Sequence, residues 1–342
     1  MGRDGRHRRR ATDQTGPSAG KSPDPLGGDD DLNKVSEGDE AQQELTEQAR
    51  RTSSRRQLGA AHDRFEEVSP EVGVIDEDAF DALMSDDPDE ALALLADATG
   101  ATDPKLRELA RRLAGRLVID LARSGIAQSR GVGRLVDVPA DRSPADLDLD
   151  ASLEALQMAR AAGRPAGLDE LRSRAWARPD TAICLVVDRS GSMGGDRLAT
   201  AAIAAAATVW RVPEDHSLVA FSERAMVLAS QGRHHAADAL VADVLRLRGH
   251  GPTDLALALR TARAQLERSR ARRKLTILLS DCRHTTGDEP LAAAGALDEL
   301  AIVAPADDTA DAEHLARAVG ARWVPVEGPS AIPAAFSLLF GQ

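Results

Sequence analysis

A short polar run near the middle of the chain carries the side chains best suited to chemistry. Asp188, Ser190 and Ser192 follow one another at two-residue steps, directly after the apolar run 183–187. A carboxylate and two hydroxyls from one tight turn offer the hard oxygen ligands that Mg²⁺ prefers, and Gly191 allows a sharp bend between the serines. The plain alternative is that Asp188 caps the next helix and the serines are turn residues.

The elements that must position this run are indicated by short apolar segments alternating with helical ones. The apolar runs cover residues 183–187, 218–221, 275–279 and 300–303, and the helical segments cover 201–210, 236–247, 254–267, 291–298 and 310–319. Strands that are apolar on both faces and alternate with helices predict an α/β fold, with a doubly wound, mostly parallel sheet and helices on both faces. Ligands of such sheets bind beyond the carboxyl ends of the strands, which is where Asp188 falls.

The polar run resembles the metal-ion-dependent adhesion site of von Willebrand factor A domains, whose pattern is Asp-x-Ser-x-Ser. Two later segments are similar to the rest of that site, namely Gly-His-Gly-Pro-Thr at 249–253 and Leu-Leu-Ser-Asp at 278–281. The resemblance implies a Rossmann-like domain that binds one Mg²⁺, or Mn²⁺ in its place. The ligands that it implies are Asp188, Ser190, Ser192, Thr253 and Asp281.

In that family one coordination position of the ion stays open for an outside ligand, usually a carboxylate of a partner protein. Two positions of this sequence depart from the family pattern. Cys282 stands where the family often has glycine after the second aspartate, and Pro252 precedes Thr253. Neither change removes a ligand oxygen, and thiolates are poor ligands for Mg²⁺, so we expect no metal bond from Cys282.

A wider resemblance, over roughly residues 95–340, is to bacterial CoxE-like proteins and to the carboxyl-terminal part of the magnesium chelatase D subunit. It rests on segments ahead of the domain, at 99–124, 146–153, 162–165 and 171–179. Proteins of this branch generally work with AAA+ ATPases of the MoxR type. The resemblance therefore implies a non-catalytic adaptor or co-chaperone whose metal grips an acidic residue of the ATPase or of its client.

Two rival functions belong to different classes of protein. One is a subunit of a magnesium chelatase-like metal-insertion complex, although the AAA+-like domain of the D subunit has no counterpart in this sequence. The other is an adhesion module, which would need export. No nucleophile–base pair and no paired acid and base are recognisable, so we expect no catalysis by this chain alone.

Residues 61–178 are predicted to be a helical region that precedes the domain. Asp87 and Asp103 are each followed by proline, which places an N-cap residue before a proline at the first helical position. Gly125 is expected to end the second helix, and a third helix is predicted over 150–161. The second helix carries an apolar stripe at three- and four-residue spacing, formed by Leu106, Leu109, Ala110, Leu113, Ala114, Leu117 and Leu121.

The two ends of the chain differ in composition. Residues 1–60 contain equal numbers of acidic and basic residues and few large apolar ones, so we predict a disordered polyampholyte tail that buries too little surface to offset its ordering entropy. Residues 179–342 are assigned to the von Willebrand factor A-type domain.

Charge and cysteine content indicate which partners and which compartment to expect for the protein. The formal net charge of −12 argues against a general attraction to nucleic acid, and no apolar stretch is long enough to span a bilayer. Cys184 and Cys282 are too few for the disulfide scaffold of a secreted protein, and the basic amino terminus is not followed by the apolar core of a signal peptide. We therefore expect a cytoplasmic protein.

Overall fold

A computed structural model of the chain describes residues 31, 33–126, 135–139, 147–167, 170–176, 181–190, 194–249 and 251–340. Most of its strands belong to one seven-stranded sheet, and the other two form a separate pair. The described strands are β1 (Val35–Glu37), β2 (Leu135–Pro139), β3 (Arg172–Trp176), β4 (Thr181–Asp188), β5 (His216–Phe221), β6 (Ala225–Ala229), β7 (Arg273–Leu279), β8 (Glu299–Pro305) and β9 (Arg322–Val326).

The large sheet is mixed and mostly parallel, with the order β1-β6-β5-β4-β7-β8-β9. Strands β5, β4, β7, β8 and β9 run in one direction, whereas β6 is antiparallel to β5 and β1 is parallel to β6. The chain leaves β4 toward β5 on one side and later returns to β7 on the other. Such a reversal opens a crevice at the carboxyl end of β4, beside the ends of its neighbours β5 and β7. The predicted fold class is therefore confirmed.

Helices cover both faces of this sheet. One apolar layer contains α5, α6, α8, α9 and α13, and the opposite layer contains α10, α11 and α12. The described α-helices are α1 (Asp39–Gln48), α2 (Arg55–Ala61), α3 (Phe65–Val68), α4 (Glu77–Asp86), α5 (Pro88–Ala98), α6 (Pro104–Ile126), α7 (Leu149–Ala161), α8 (Gly195–Arg211), α9 (Ala237–Val244), α10 (Leu255–Glu267), α11 (Pro290–Gly295), α12 (Ala310–Val319) and α13 (Ile332–Leu339).

Helix α8 is buried along most of its length because it lies between the sheet and two further helices. Its alanines let α5 and α6 approach closely. At its first residue, a Cβ on Gly195 would lie 2.4 Å from the carbonyl oxygen of Ala93 on α5, so only glycine fits this contact. Small residues thus fix how near the helical layer comes to the carboxyl end of β4.

The first two predicted helices of the region before the domain are present as α5 and α6. The Asp87 carboxylate accepts a hydrogen bond from the Glu90 backbone N–H, as an N-cap residue does. The predicted stripe on α6 needs one correction, because Leu109 is 40% exposed while Val118 and Ala122 are buried. The buried row follows four-residue steps from Leu106, which is the direction in which a helix ridge packs into a neighbouring groove.

The prediction that residues 1–60 lack structure is wrong for residues 33–60. This part of the chain contributes β1, α1 and α2, and β1 extends the sheet beside β6. We call residues 33–61 the amino-terminal segment. Its charged side chains pair with distant residues of the sheet layer, for example Glu37 with Arg268, and composition alone does not reveal such pairs. Residues 1–30 and 32 lie outside the described part.

The region 61–178 also contains an element that helical periodicity does not predict. Strands β2 and β3 form an antiparallel pair, and α7 lies beside β3. Helix α7 covers 149–161, which matches the third predicted helix to within one residue. Within the described residues, no helix combines the length and apolar character needed to cross a membrane.

Candidate functional site

Asp188 is the last residue of β4 and sits between the ends of β5 and β7. Its Oδ1 accepts a hydrogen bond from the Ser190 backbone N–H at 2.8 Å, and its Oδ2 accepts one from Ser280 Oγ at 2.6 Å. The neighbouring Arg189 backbone N–H donates to the carbonyl of Phe221 on β5 at 2.7 Å. These contacts hold the carboxylate at the crevice where β4 ends between β5 and β7.

The surroundings of Asp188 disfavour a bare negative charge. Its side chain is buried, with 7% of the residue exposed. Burial raises the pKa of Asp188, the nearby charge of Asp281 raises it further, and hydrogen bonds from Ser280 and Ser190 oppose the rise without cancelling it. Among the described residues, Asp188 has no ion pair with a lysine or arginine. A bound cation would compensate such a carboxylate.

Asp281 follows β7 in a loop of unusual backbone conformation. Its Oδ1 accepts a hydrogen bond from the Arg283 backbone N–H at 3.0 Å, and its Oδ2 lies 3.8 Å from Nη2 of Arg197. The next residue, Cys282, has φ +64°, a left-handed conformation that glycine adopts most easily. Cysteine thus occupies a position where the related family often has glycine, and it keeps the backbone shape that glycine favours.

The surroundings of Cys282 favour the neutral thiol. Burial raises the pKa of Cys282 well above its usual range, and the charges of Asp281, Asp188 and Asp311 raise it further. The thiolate is the form that binds metals. That Cys282 forms no metal bond stays a prediction.

Thr253 lies at the same end of the sheet, on the loop before α10. Its backbone N–H donates to Thr285 Oγ1 at 2.8 Å, and its carbonyl accepts from the N–H groups of Thr285 and Thr286. The next residue, Asp254, donates its N–H to the carbonyl of Ser222, which follows β5. The loop is therefore tied to the ends of β5 and β7, although the described contacts join Thr253 directly to neither predicted carboxylate ligand.

The predicted ligands are thus brought together in part. Asp188 and Asp281 line one cleft of about 550 Å³. Ser190 is joined to Asp188 through its backbone N–H, whereas Ser190 and Thr253 are not among the described residues that line the cleft. Ser192 lies outside the described residues. Ser280, which orients Asp188, is a site residue that the sequence did not single out, although it immediately precedes Asp281.

The cleft is strongly acidic. Asp196, Asp307 and Glu327 line it together with Asp188 and Asp281, and among its described lining residues the one lysine or arginine is Arg197. No group of three or more histidine, cysteine, aspartate or glutamate side chains suited to a metal is found in the described part of the chain. The described residues that bring hydroxyl oxygens to the cleft are Thr200 and Ser280.

A comparison with known protein families identifies the module to which this cleft belongs. The family model of the von Willebrand factor type A domain matches residues 183–284. The chain contains a von Willebrand factor type A domain. The matched range begins in β4 and ends three residues after Asp281, so it includes all five predicted ligands. Domains of this type generally mediate protein–protein interaction.

Solved structures with the von Willebrand factor type A fold resemble this chain only distantly. The von Willebrand factor type A protein from Catenulispora acidiphila has 17% identity and a TM-score of 0.39, over 49% of this chain and 43% of that one. A point mutant of the PilB minor pilin from Streptococcus sanguinis has 13% identity and a TM-score of 0.39, over 49% of this chain and 63% of that one.

BatB from Bacteroides thetaiotaomicron has 14% identity and a TM-score of 0.37, over 47% of this chain and 100% of that one. The chain spans less than two thirds of the length of the first two proteins. The search of curated proteins finds no match.

Proposed function

We propose that the von Willebrand factor type A domain binds a partner protein through one divalent cation, Mg²⁺ or Mn²⁺, held at the carboxyl end of β4. The ligands that we propose are Asp188, Ser190, Ser192, Thr253 and Asp281. The observation that carries the proposal is the buried Asp188 carboxylate, which shares a cleft with Asp281 and forms no ion pair with a described basic residue. A buried carboxylate without a described counter-charge, beside a second one that is only loosely paired, favours a cation.

Each described residue of the site has a definable task in this proposal. Ser280 and the Ser190 N–H fix the orientation of Asp188 before the ion arrives. Arg197, 3.8 Å from Asp281, leaves that carboxylate only loosely paired. A bound divalent cation would supply a Lewis-acidic position for an acidic side chain of the partner. The two carboxylates roughly balance the charge of the ion, and the hydroxyl ligands add none.

We further propose that the partner is an AAA+ ATPase of the MoxR type, or its client, and that the chain acts as a non-catalytic adaptor. Support comes from the resemblance to CoxE-like proteins and from the position of α5 beside the cleft. Two glycines that line the cleft lie against α5. Gly195 lies against Ala93, and Gly328 lies against Asp89. A protein that reaches the metal would therefore also meet the helical layer.

The metal is tested first, by calorimetric titration of the full chain with Mg²⁺ and Mn²⁺. We expect one site, which Asp188→Ala abolishes because the ion loses its buried carboxylate. Asp307→Ala is the matched control, since Asp307 lines the same cleft but is not a proposed ligand, and it should retain binding. Undiminished binding by Asp188→Ala would refute the ligand assignment.

The partner is tested by pull-down with a genomically linked AAA+ ATPase, with and without EDTA. Association should require the metal and should be lost when Ser190→Ala and Ser192→Ala are combined, because the partner carboxylate completes the coordination shell. Association that ignores both EDTA and the double variant would mean that the partner contacts another surface. Linkage to tetrapyrrole genes, and binding to their products, would favour the chelatase-like complex instead.

A further inference from the structure

Four arginines come together where α9 ends beside α6. Arg107 and Arg111 lie one turn apart on α6, and Arg246 and Arg248 follow α9, which packs against α6. Each of the four side chains is half-buried. We call these four residues the arginine cluster. The formal net charge of the chain is −12, so the cluster concentrates positive charge on a molecule that is acidic overall.

Two guanidiniums of the arginine cluster lie against the same turn of chain, between α5 and α6. Arg107 Nη1 donates a hydrogen bond to the carbonyl of Ala101 at 3.0 Å. Arg248 Nη1 donates to the carbonyl of Leu245 at 3.1 Å, and its guanidinium packs against Gly100, where it leaves no room for a Cβ. Gly100 and Ala101 are consecutive, so these contacts hold the two positive charges close together before any ligand arrives.

Carboxylates balance only part of the positive charge of the arginine cluster. Arg246 forms an ion pair with Asp243 at 3.2 Å. Glu108, which lies on α6 between the two arginines of that helix, pairs with Arg112 outside the cluster. Arg111 itself has neither a hydrogen bond nor an ion pair with a residue of the described part of the chain. Arg111 is therefore a half-buried guanidinium whose donors remain available to a ligand.

The members of the arginine cluster lie close enough to repel one another. Burial lowers the pKa of Arg111, and the positive charges of Arg107 and Arg246 lower it further, while one carboxylate on α6 opposes them. Burial also lowers the pKa of Arg248; the carboxylate of Asp97 opposes this shift, and the charge of Arg111 adds to it. Half-buried like charges are unfavourable without a counter-ion. An anion bound among these guanidiniums would relieve their repulsion.

The chemistry of the arginine cluster favours a phosphate group. A guanidinium is a planar fork of donors that matches phosphate and carboxylate oxygens. The cluster is compact, because its members lie one helical turn apart on α6 and two residues apart after α9. It therefore suits one small group with several charges better than an extended acidic segment. A phosphate monoester carries a charge of about −1.5 to −2 near neutral pH and offers three acceptor oxygens, whereas a carboxylate carries a single charge.

We propose that the arginine cluster is a binding site for a phosphate group, with Arg111 as its central contact. The phosphate can be inorganic, carried by a nucleotide or carried by a phosphorylated side chain, and the test separates these sources. Arg248 stands five residues before Thr253, so the backbone at the site lies within about 17 Å of that proposed metal ligand. The cluster and the metal site share no residue, so the inference does not rest on the proposed function.

The test is calorimetric titration of the full chain with inorganic phosphate, O-phosphoserine and ADP, in low salt and with EDTA present. EDTA removes any metal that could bind phosphate at the proposed metal site. We expect one saturable site for inorganic phosphate, and the carrier that binds more tightly than inorganic phosphate identifies the source. Arg111→Gln should weaken phosphate binding by about tenfold or more, because charge-assisted hydrogen bonds are lost. Arg111→Lys should weaken it too, since an ammonium lacks the planar fork.

Arg112→Gln is the matched control. Arg112 is the next residue on α6, is exposed and pairs with Glu108, so its loss should leave phosphate binding unchanged. Equal weakening in Arg111→Gln and Arg112→Gln would overturn the inference, because a diffuse positive surface would then be responsible. Absence of saturable phosphate binding would overturn it as well, and binding of an oligoglutamate peptide in its place would assign the cluster to an acidic protein partner. Melting temperatures identify any variant that is unfolded.

Discussion

The chain ahead of the domain attaches to the sheet layer in two different ways. Helices α5 and α6 pack on α8 through apolar side chains, with residues such as Leu95 almost completely buried. The amino-terminal segment adds β1 to the sheet edge and combines buried apolar residues, such as Leu45, with ionic contacts, among them Glu37 with Arg268 and Glu44 with Arg189. The first attachment is mainly apolar, whereas the second adds ion pairs to its apolar contacts.

This difference bears on which part of the molecule is suited to change. Apolar burial is non-directional and is roughly proportional to the area removed from water, so α5 and α6 are expected to stay in place under most conditions. Ionic contacts of partly exposed side chains contribute less and respond to salt and pH. The amino-terminal segment is therefore the attachment whose strength solution conditions or a partner can alter.

The largest expected effect concerns the apolar attachment. Leu95→Ala removes a buried side chain from α5 and should lower the free energy of unfolding by about 3 kcal/mol, because a cavity remains where the side chain was. Urea unfolding followed by circular dichroism measures the change. Leu109→Ala on α6 is the control, since Leu109 is 40% exposed, and it should change stability by less than about 1 kcal/mol. Equal effects would mean that the layer is loosely packed.

A smaller effect on the free energy of unfolding is expected at the ion pair between Glu37 and Arg268. Two hydrogen bonds from Arg268 hold the pKa of Glu37 at about 2, below its ordinary 4.5, although burial opposes the shift. Because the folded-state pKa is depressed, Glu37 stabilises the fold above pH 4.5, and this contribution is lost as the pH falls toward 2. The pair is partly exposed, so solvent screening reduces its contribution to about 1 kcal/mol.

Unfolding of Glu37→Gln compared with the unaltered protein, at a series of pH values, tests this account. The difference in stability should be present near neutral pH and should vanish in strong acid. Glu40→Gln, at an exposed position of α1, should show no such difference. A Glu37→Gln effect that persisted unchanged into strong acid would show that something other than the carboxylate charge is responsible.

The smallest expected effect on stability concerns a histidine that joins the end of α2 to α5. His62 follows α2 and is placed between Glu90 and Asp97 of α5, with a 3.0 Å contact to each. Burial disfavours the imidazolium, but the two carboxylates outweigh it and raise the pKa of His62 above 6.5. Its stabilising contribution is therefore present below pH 6.5 and declines as the pH rises through the raised pKa.

Thermal unfolding of His62→Gln should accordingly differ from that of the unaltered protein more at mildly acidic than at mildly alkaline pH. His314→Gln provides the comparison, because His314 lies on α12 at a position away from these carboxylates. The opposite pH trend would indicate that the neutral imidazole is the stabilising form.

The apolar attachment was predictable from the sequence and the ionic one was not. Leucines and alanines at helical spacing reveal α5 and α6 because a buried face imposes a periodic pattern. The charges of residues 33–60 carry no such pattern. Their partners, such as Arg189 and Arg268, lie far along the chain, so counting acidic and basic residues gives a net charge near zero and predicts disorder. Ion pairs with residues far along the chain help to fix the structure of this segment, and its composition does not reveal them.

The residues of the proposed site also differ in how far the sequence predicted them. Asp188 was recognisable because it ends a buried apolar run, beyond which ligands of parallel sheets bind, whereas Asp281 was indicated by the resemblance to von Willebrand factor A domains. The assignment of the five ligands stays a prediction. Ser280, which donates a hydrogen bond to Asp188, was not singled out, although it immediately precedes Asp281. The left-handed backbone at Cys282 was not predicted, although the cysteine stands where a related family often has glycine.

The position of β1 has a practical consequence for anyone who isolates the domain. Strand β6 has the sequence Ala-Met-Val-Leu-Ala, is fully buried and carries no charge. Its outer edge is covered by β1 alone in the seven-strand order. A fragment cut at the domain boundary suggested by the sequence would expose an uncharged apolar strand edge, which is the usual template for intermolecular β-pairing. Poor solubility of such a fragment would then reflect a missing strand and not an unstable fold.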